Sequence, residues 1–308
     1  MLLQDKENKL IALFCEIDDF CLALRKWKEK EGLTGKTTRS PQLSESEIMT
    51  ISVFCHYSGY KCFQYFYQQQ ALPFLKSYFP GLPSYERFLS LLPRVLPGLY
   101  LFLLYQTHQS CRTGIYFIDS KKIVVSHNQR IHSNRVFRDF AKRGKSSTGW
   151  FYGLTLHLVI NNLGQICQFL LTPANVADNS EEVLKHLLSD LQGECYGDKG
   201  YLSRFFGYFY ERGLTLVTRI KNNMKNKLLF LSQRIRLRKR AIIESVNDIL
   251  TDILTSVFDI EHSRHRSQVN AVSHLFAGLI AYCFYENKPS VFFTTVPQFI
   301  SRFIHSSL

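Results

Sequence analysis

Apolar residues recur at three- and four-residue steps near the start of the chain: Leu10, Leu13, Phe14, Ile17, Phe20 and Cys21. That is the period of one helix face. A polar Gly/Thr/Ser loop covers residues 32–41. Ser44 followed by Glu47 has the form of a capping box before an apolar run that ends at Phe54, which predicts a second helix. Residues 83–88, reading Pro-Ser-Tyr-Glu-Arg-Phe, open a third. Several short helices joined by turns are therefore expected over residues 1–110. They suit a helix-turn-helix module and a plain helical cap equally.

Beyond residue 111 the period changes. Residues 114–119 form a short apolar run closing on Asp119, and residues 122–126 extend the same strand region. In residues 152–160, Leu154, Leu156 and Leu158 alternate with Thr155, His157 and Val159, the signature of a half-buried strand. Asn161 to Gly164 is turn chemistry, and residues 165–171 return as a third strand. A turn-rich loop spans 173–180, and the helix opened by Ser180-Glu181-Glu182 carries Val183, Leu184, Leu187, Leu188 and Leu191 on one face. A fourth strand at 195–198 closes on Asp198. Helix at 200–212, strand at 214–220, a basic segment and an amphipathic helix at 242–257 follow. Three strands and then alternating helix and strand predict an α/β fold, a mixed five-stranded sheet flanked by helices behind the helical region. No G-x-G-x-x-G is present, so a dinucleotide-binding fold is excluded.

Composition and charge narrow the function. Of the 308 residues, 45% are hydrophobic and 20% charged, a globular balance. Lys and Arg number 38 against 25 Asp and Glu, for a net charge of +13, which suits a polyanionic partner. The surplus is uneven, net +2 over residues 1–110 and +11 over 111–308. The apolar stretch 88–105 is interrupted by Pro93, Arg94 and Pro97. The stretch 271–285 is shorter than the ~20 residues a bilayer requires, so no membrane partner is expected. Charges begin at Asp5, without a secretory leader pattern. The eight cysteines form no Cys-x-x-Cys pair and suggest a reducing, cytoplasmic setting.

Three acidic residues carry the candidate chemistry. Asp119 and Asp198 each close a strand, and Glu244 lies in the 242–257 helix. Strand-end carboxylates face the sheet edge where ligands bind in α/β folds. A helix packed across the sheet brings Glu244 beside them. Three converging carboxylates repel one another until hard cations such as Mg²⁺ or Mn²⁺ fill the space. A pair of such ions, ~3.5–4 Å apart, suits in-line phosphoryl transfer. Taken singly, each residue reads better as an ordinary turn or helix-surface charge; taken together, in this order of elements and this basic background, the catalytic reading is the better one.

The sequences Phe117-Ile118-Asp119-Ser120, Tyr196-Gly197-Asp198-Lys199-Gly200-Tyr201 and Arg240-Ala241-Ile242-Ile243-Glu244 resemble the first Asp, second Asp and Glu motifs of DDE transposases of bacterial insertion sequences. The segment 142–157, running from Lys142 to a strand that ends at His157, and the loop Thr172-Pro173-Ala174-Asn175-Val176-Ala177-Asp178 also resemble that family. The likeness covers about residues 111–280. It implies a ribonuclease-H-like catalytic domain over 111–308, preceded by a helical region, 1–110, that binds the element ends. It further implies two Mg²⁺ or Mn²⁺ ions held by Asp119, Asp198 and Glu244, and hydrolysis at the element ends followed by strand transfer of a 3′-OH. A homodimer or larger assembly on DNA follows from the same likeness. Two positions depart from the longer signature: Leu237 stands where relatives often have Tyr, and Thr251 where they have Lys.

The cations flank the candidate carboxylates. Lys121, Lys122, Arg143 and Lys145 follow Asp119; Lys199 follows Asp198; Arg219, Lys221, Arg236, Arg238, Lys239 and Arg240 precede Glu244. They are the expected DNA-backbone contacts, since phosphates require cations whatever the base sequence. His157 reads either as a sheet-surface histidine or as a site residue, and Tyr201 either as a phosphate-orienting or as a core residue. Glu261, His262 and His265 form a weak candidate for a transition-metal site. A transposase-derived DNA-binding protein without catalysis, a nuclease of the same fold and an RNA-binding basic protein are the alternatives.

Overall fold

The computed structural model describes residues 2–33, 41–60, 62–146, 149–201, 205–218, 230–254 and 266–292. The helical region comprises α1 (Leu2–Lys30), α2 (Glu45–Phe54), two short turns α3 (Phe63–Phe66) and α4 (Leu72–Phe74), and α5 (Tyr85–His108). The predicted capping box is present: the Ser44 hydroxyl accepts from the Glu47 amide at 3.1 Å, and the Glu47 carboxylate accepts from the Ser44 amide at 2.7 Å. Ser84 caps α5 with its hydroxyl alone, which accepts from the Arg87 amide at 3.4 Å.

Prolines 93 and 97 lie inside α5 without ending it. Both lie on its exposed side, so the carbonyls they leave without an intrahelical partner are turned toward water. The result is a helix long and apolar enough to cross a membrane by length and composition alone. Its other face is a core face, with Phe88, Leu92, Val95, Leu99, Phe102 and Leu103 buried.

The sheet strands are β1 (Ile115–Ser126), β2 (Lys142–Ser146), β3 (Gly149–Asn161), β4 (Ile166–Pro173), β5 (Gly193–Gly197) and β6 (Leu214–Thr218). Strand β3 pairs antiparallel with β1 on one edge, and with β4 and then β2 on the other. β5 and β6 continue the sheet beyond β1 in parallel. This is the mixed sheet of a ribonuclease-H-like α/β fold, with β2 as an addition to the five expected strands. Helices α6 (Glu181–Leu188), α7 (Phe206–Tyr210), α8 (Leu231–Arg238), α9 (Ala241–Leu254) and α10 (Gln268–Cys283) complete the chain. The helix expected at 200–212 is much shorter: a 3₁₀ turn at Lys199–Tyr201 and then α7, with residues 202–204 outside the described set.

Two cores cover the two sheet faces. One joins Phe117, Ile123, Leu154, Leu156 and Leu158 to α9, α10, α5, α2 and α1. The other packs Tyr116, Ile118 and Val159 against α6 and α7. The helical region thus shares a hydrophobic core with the sheet, largely through α10.

Candidate active site

Alternation along β1 divides its side chains between the two faces. Phe117, Asp119, Lys121 and Ile123 turn toward α9 and α10; Tyr116, Ile118 and Ser120 turn the other way. Asp119 is mostly buried and accepts a hydrogen bond from Asn247 Nδ2 at 3.1 Å. Two residues on, Lys121 Nζ donates to the Asn247 carbonyl at 3.0 Å and to the Thr251 hydroxyl. β1 and α9 are therefore stitched together beside the first carboxylate.

Asp198 is the first residue after β5. The parallel register sets Phe117 opposite Tyr196, so Asp119 and Asp198 each lie two residues beyond that last pair, Asp198 where β5 gives way to a turn. The crossing is close: a Cβ at Gly197 would come within 2.9 Å of Ile118 Cγ2 and 3.2 Å of Tyr201, so only glycine lets strand and turn approach. Glu244 occupies the first turn of α9, on the same stripe as Asn247 and Thr251. Its carboxylate is 57% exposed and accepts from Arg240 at 2.8 Å.

Burial pushes the Asp119 carboxyl up to about 6. The Ser120 amide and Arg240 oppose that rise, whereas Asp178 and Glu244 add to it. Asp119 thus senses both members of the Arg240–Glu244 pair. Asp119 does not close a strand as the sequence suggested: it sits within β1, paired with Leu158, beyond the point where the shorter β5 stops pairing with β1, and the three predicted acids do not close into a cage. Among the described residues, no three His, Cys, Asp or Glu side chains lie close enough to hold a metal ion. Arg240 engages Glu244, and Asn247 engages Asp119. The donors nonetheless fit a hard divalent cation: all are oxygens, and Asn247 Oδ1 is buried beside them without a hydrogen bond.

Residues 109–268, slightly more than half of the chain, match the family model described as the transposase DDE domain. The chain belongs to the transposase DDE domain family. No curated protein and no solved structure matches it significantly.

In this transposase domain a cleft opens beside Asp119, with Ser120, Lys121, Lys145, Asp178, Gly200 and Asn247 in its wall. The wall takes in Gly200 rather than Asp198, and Asn247 rather than Glu244. Lys122, Arg143, Lys145, Lys199, Arg238 and Lys239 are exposed, as backbone contacts to DNA require. Arg143 lies 5.0 Å and Lys145 5.8 Å from the ring centre of the exposed Trp150. Lys121 is bonded to α9, Arg240 to Glu244, and Arg236 to Glu194 of β5. Arg219 and Lys221 lie outside the described residues, as do Glu261, His262 and His265.

His157 is no surface histidine. It is 0% exposed, because α6 and the loop after β4 cover its face of the sheet. Tyr201 is buried in that same core. Burial holds its phenol well above the ordinary value, with Asp178 and Asp119 adding to the effect. Two site neighbours, Asn247 and Asp178, were given no role by sequence reasoning. Asn247 was accessible as the residue three after Glu244 on one helix face. Asp178 ends the loop motif at 172–178, but nothing in its spacing shows that the loop folds back over β1.

Proposed function

We propose that the chain is a DNA transposase of an insertion sequence, cutting at the ends of its element and joining the freed 3′-OH to target DNA. One observation supports this above the others. Asp119 is half-buried within β1, two residues past the Phe117–Tyr196 pair as Asp198 is on the neighbouring chain segment, and bonded to α9 one turn beyond Glu244. Asp119, Asp198 and Glu244 would hold divalent cations, Mg²⁺ or Mn²⁺, two in the family's usual arrangement. Such ions supply charge stabilisation at the reacting phosphate and a more acidic attacking oxygen.

The chain's own residues do the rest. Asn247 fixes the Asp119 carboxylate, and Arg240 holds Glu244 until a cation competes for it. Lys122, Lys145 and Lys199 bind the DNA backbone on either side of the scissile phosphate. Alignment and charge complementarity of this kind supply most of the rate in phosphoryl transfer. In this reading the helical region 1–110 recognises the element ends, and two or more copies bring two ends together.

The test is cleavage of a plasmid carrying the coding region and its native flanking DNA. With Mg²⁺, the wild type is expected to cut in the flanks and to yield joined products. Asp119→Asn, Asp198→Asn and Glu244→Gln each lose about 100-fold or more, the scale on which removing a transition-state charge contact acts. Cutting without joining would point to a nuclease of this fold, and undiminished cutting by Asp119→Asn would overturn the assignment.

A further inference from the structure

The second sheet face carries a polar network that the three-carboxylate reading does not use. Its hub is Asp178, in the loop that leaves β4. That loop is fixed where it starts: the Ala174 amide donates to the Gly153 carbonyl at 3.2 Å, and the Val176 amide to the Pro173 carbonyl at 3.1 Å. It then folds over the sheet so that Asp178 Oδ2 accepts from the Ser120 hydroxyl at 2.9 Å. Ser120 is the residue after Asp119 on β1.

The other carboxylate oxygen faces β3. His157 is fully buried and bonds through Nε2 to the Thr172 hydroxyl at 2.9 Å. Its Nδ1 makes no hydrogen bond and stands 3.5 Å from Asp178 Oδ1. Burying a polar ring atom without a partner is costly, so a sequence that keeps a histidine here requires the carboxylate opposite it. Asp178 itself is 38% exposed and lies in the wall of the same cleft as Asp119. Buried Tyr201, three residues after Asp198, senses Asp178 as well. The network therefore touches β1 beside the first carboxylate and joins it to β3 and the loop after β4.

We propose that Asp178 is a positioning residue of the candidate active site, holding the Asp119 segment of β1 against β3 and the loop after β4 through Ser120 and His157. It acts as an outer-shell partner orients metal ligands, and removing such partners commonly costs 10–100-fold in metal affinity or activity. The inference rests on the proposed metal-dependent function.

The experiment compares wild type, Asp178→Asn, Asp178→Glu and Ser120→Ala. Mn²⁺ binding is measured by calorimetry, cleavage of the flanking-DNA plasmid gives kcat and KM, and melting temperature monitors the fold. Asp178→Asn is expected to weaken Mn²⁺ binding or lower kcat about 10-fold or more, with KM for DNA within about twofold and the melting temperature near wild type. Ser120→Ala moves in the same direction by less, and Asp178→Glu restores part of the loss. Wild-type Mn²⁺ affinity and kcat in Asp178→Asn overturn the proposal, as does a loss matched by a fall in melting temperature in both Asp178→Asn and Ser120→Ala. A wild type that binds Mn²⁺ but cuts nothing counts against the transposase reading alone, and the binding comparison then decides on Asp178. A wild type that binds no Mn²⁺ ends both.

Discussion

Charges of one sign in this protein have two fates, and the difference is set by single contacts. Arg236, Arg238 and Lys239 look alike in the sequence. Arg236 reaches back to Glu194 of β5, about a quarter exposed, whereas Arg238 and Lys239 point outward. Arg236→Ala should therefore cost stability, by about 1 kcal/mol, because the Glu194 carboxylate loses its charged partner. A double Arg238→Ala, Lys239→Ala variant should keep the wild-type melting temperature and bind DNA with a flatter salt dependence, by up to about one unit of slope per lost phosphate contact. Salt titrations of DNA affinity beside thermal melts separate the two. An unchanged slope in the double variant would show that this end of α8 does not meet the backbone. His157 teaches a related lesson. Its place in the alternation of β3 was legible, but its burial was not, because that depends on a loop arriving from twenty residues away.

α9 was readable from its apolar stripe, α2 from its capping box and apolar run, and β3 from the alternation of Leu154, Leu156 and Leu158, although β3 is buried on both faces rather than half-buried. Strand β2 was not readable. Its sequence, Lys-Arg-Gly-Lys-Ser, has no apolar alternation and reads as a basic loop. It is a strand because its backbone pairs with β3, and Gly144 admits the approach of the Ala174 carbonyl. The prolines of α5 are tolerated because both lie on the side of the helix that faces water. One glycine tests the sheet directly. A Cβ at Gly153 would lie 1.9 Å from the Ile123 carbonyl oxygen, backbone that has no rotamer with which to yield. Gly153→Ala should therefore force β1 from β3 and cost about 2 kcal/mol or more, seen as a clear fall in the denaturation midpoint. A midpoint equal to wild type would mean that the pairing beside Asp119 is looser than described.

At the scale of the whole molecule, the helical region and the sheet are joined by a seam in which His56 is enclosed. Its Nδ1 donates to the Ile253 carbonyl of α9 at 3.0 Å, and a Cβ on Gly278 of α10 would press against the ring. Burial pulls the imidazole down to about 4, against the carbonyls of Ile253 and His274. The folded state thus keeps His56 neutral where the unfolded chain binds a proton. Its contribution is complete above pH 6.5 and is lost as pH falls toward 4, about 2 kcal/mol by pH 5. Calorimetry from pH 7.5 to 5 should show the wild type losing stability more steeply than His56→Gln; parallel slopes would place the ring in a wetter seam. The same scale governs charge: residues 111–308 carry a net +11 against +2 for residues 1–110, so under the proposed function most of the attraction for DNA would come from the part that bears the candidate carboxylates.

The measurement that bears most directly on the account is anomalous diffraction from crystals equilibrated with Mn²⁺. Peaks about 2.0–2.2 Å from carboxylate oxygens of Asp119 and Asp198, with Glu244 swung from Arg240 onto one of them, are the predicted result. Well-ordered crystals with no manganese at Asp119, or with the ion bound elsewhere, would contradict it.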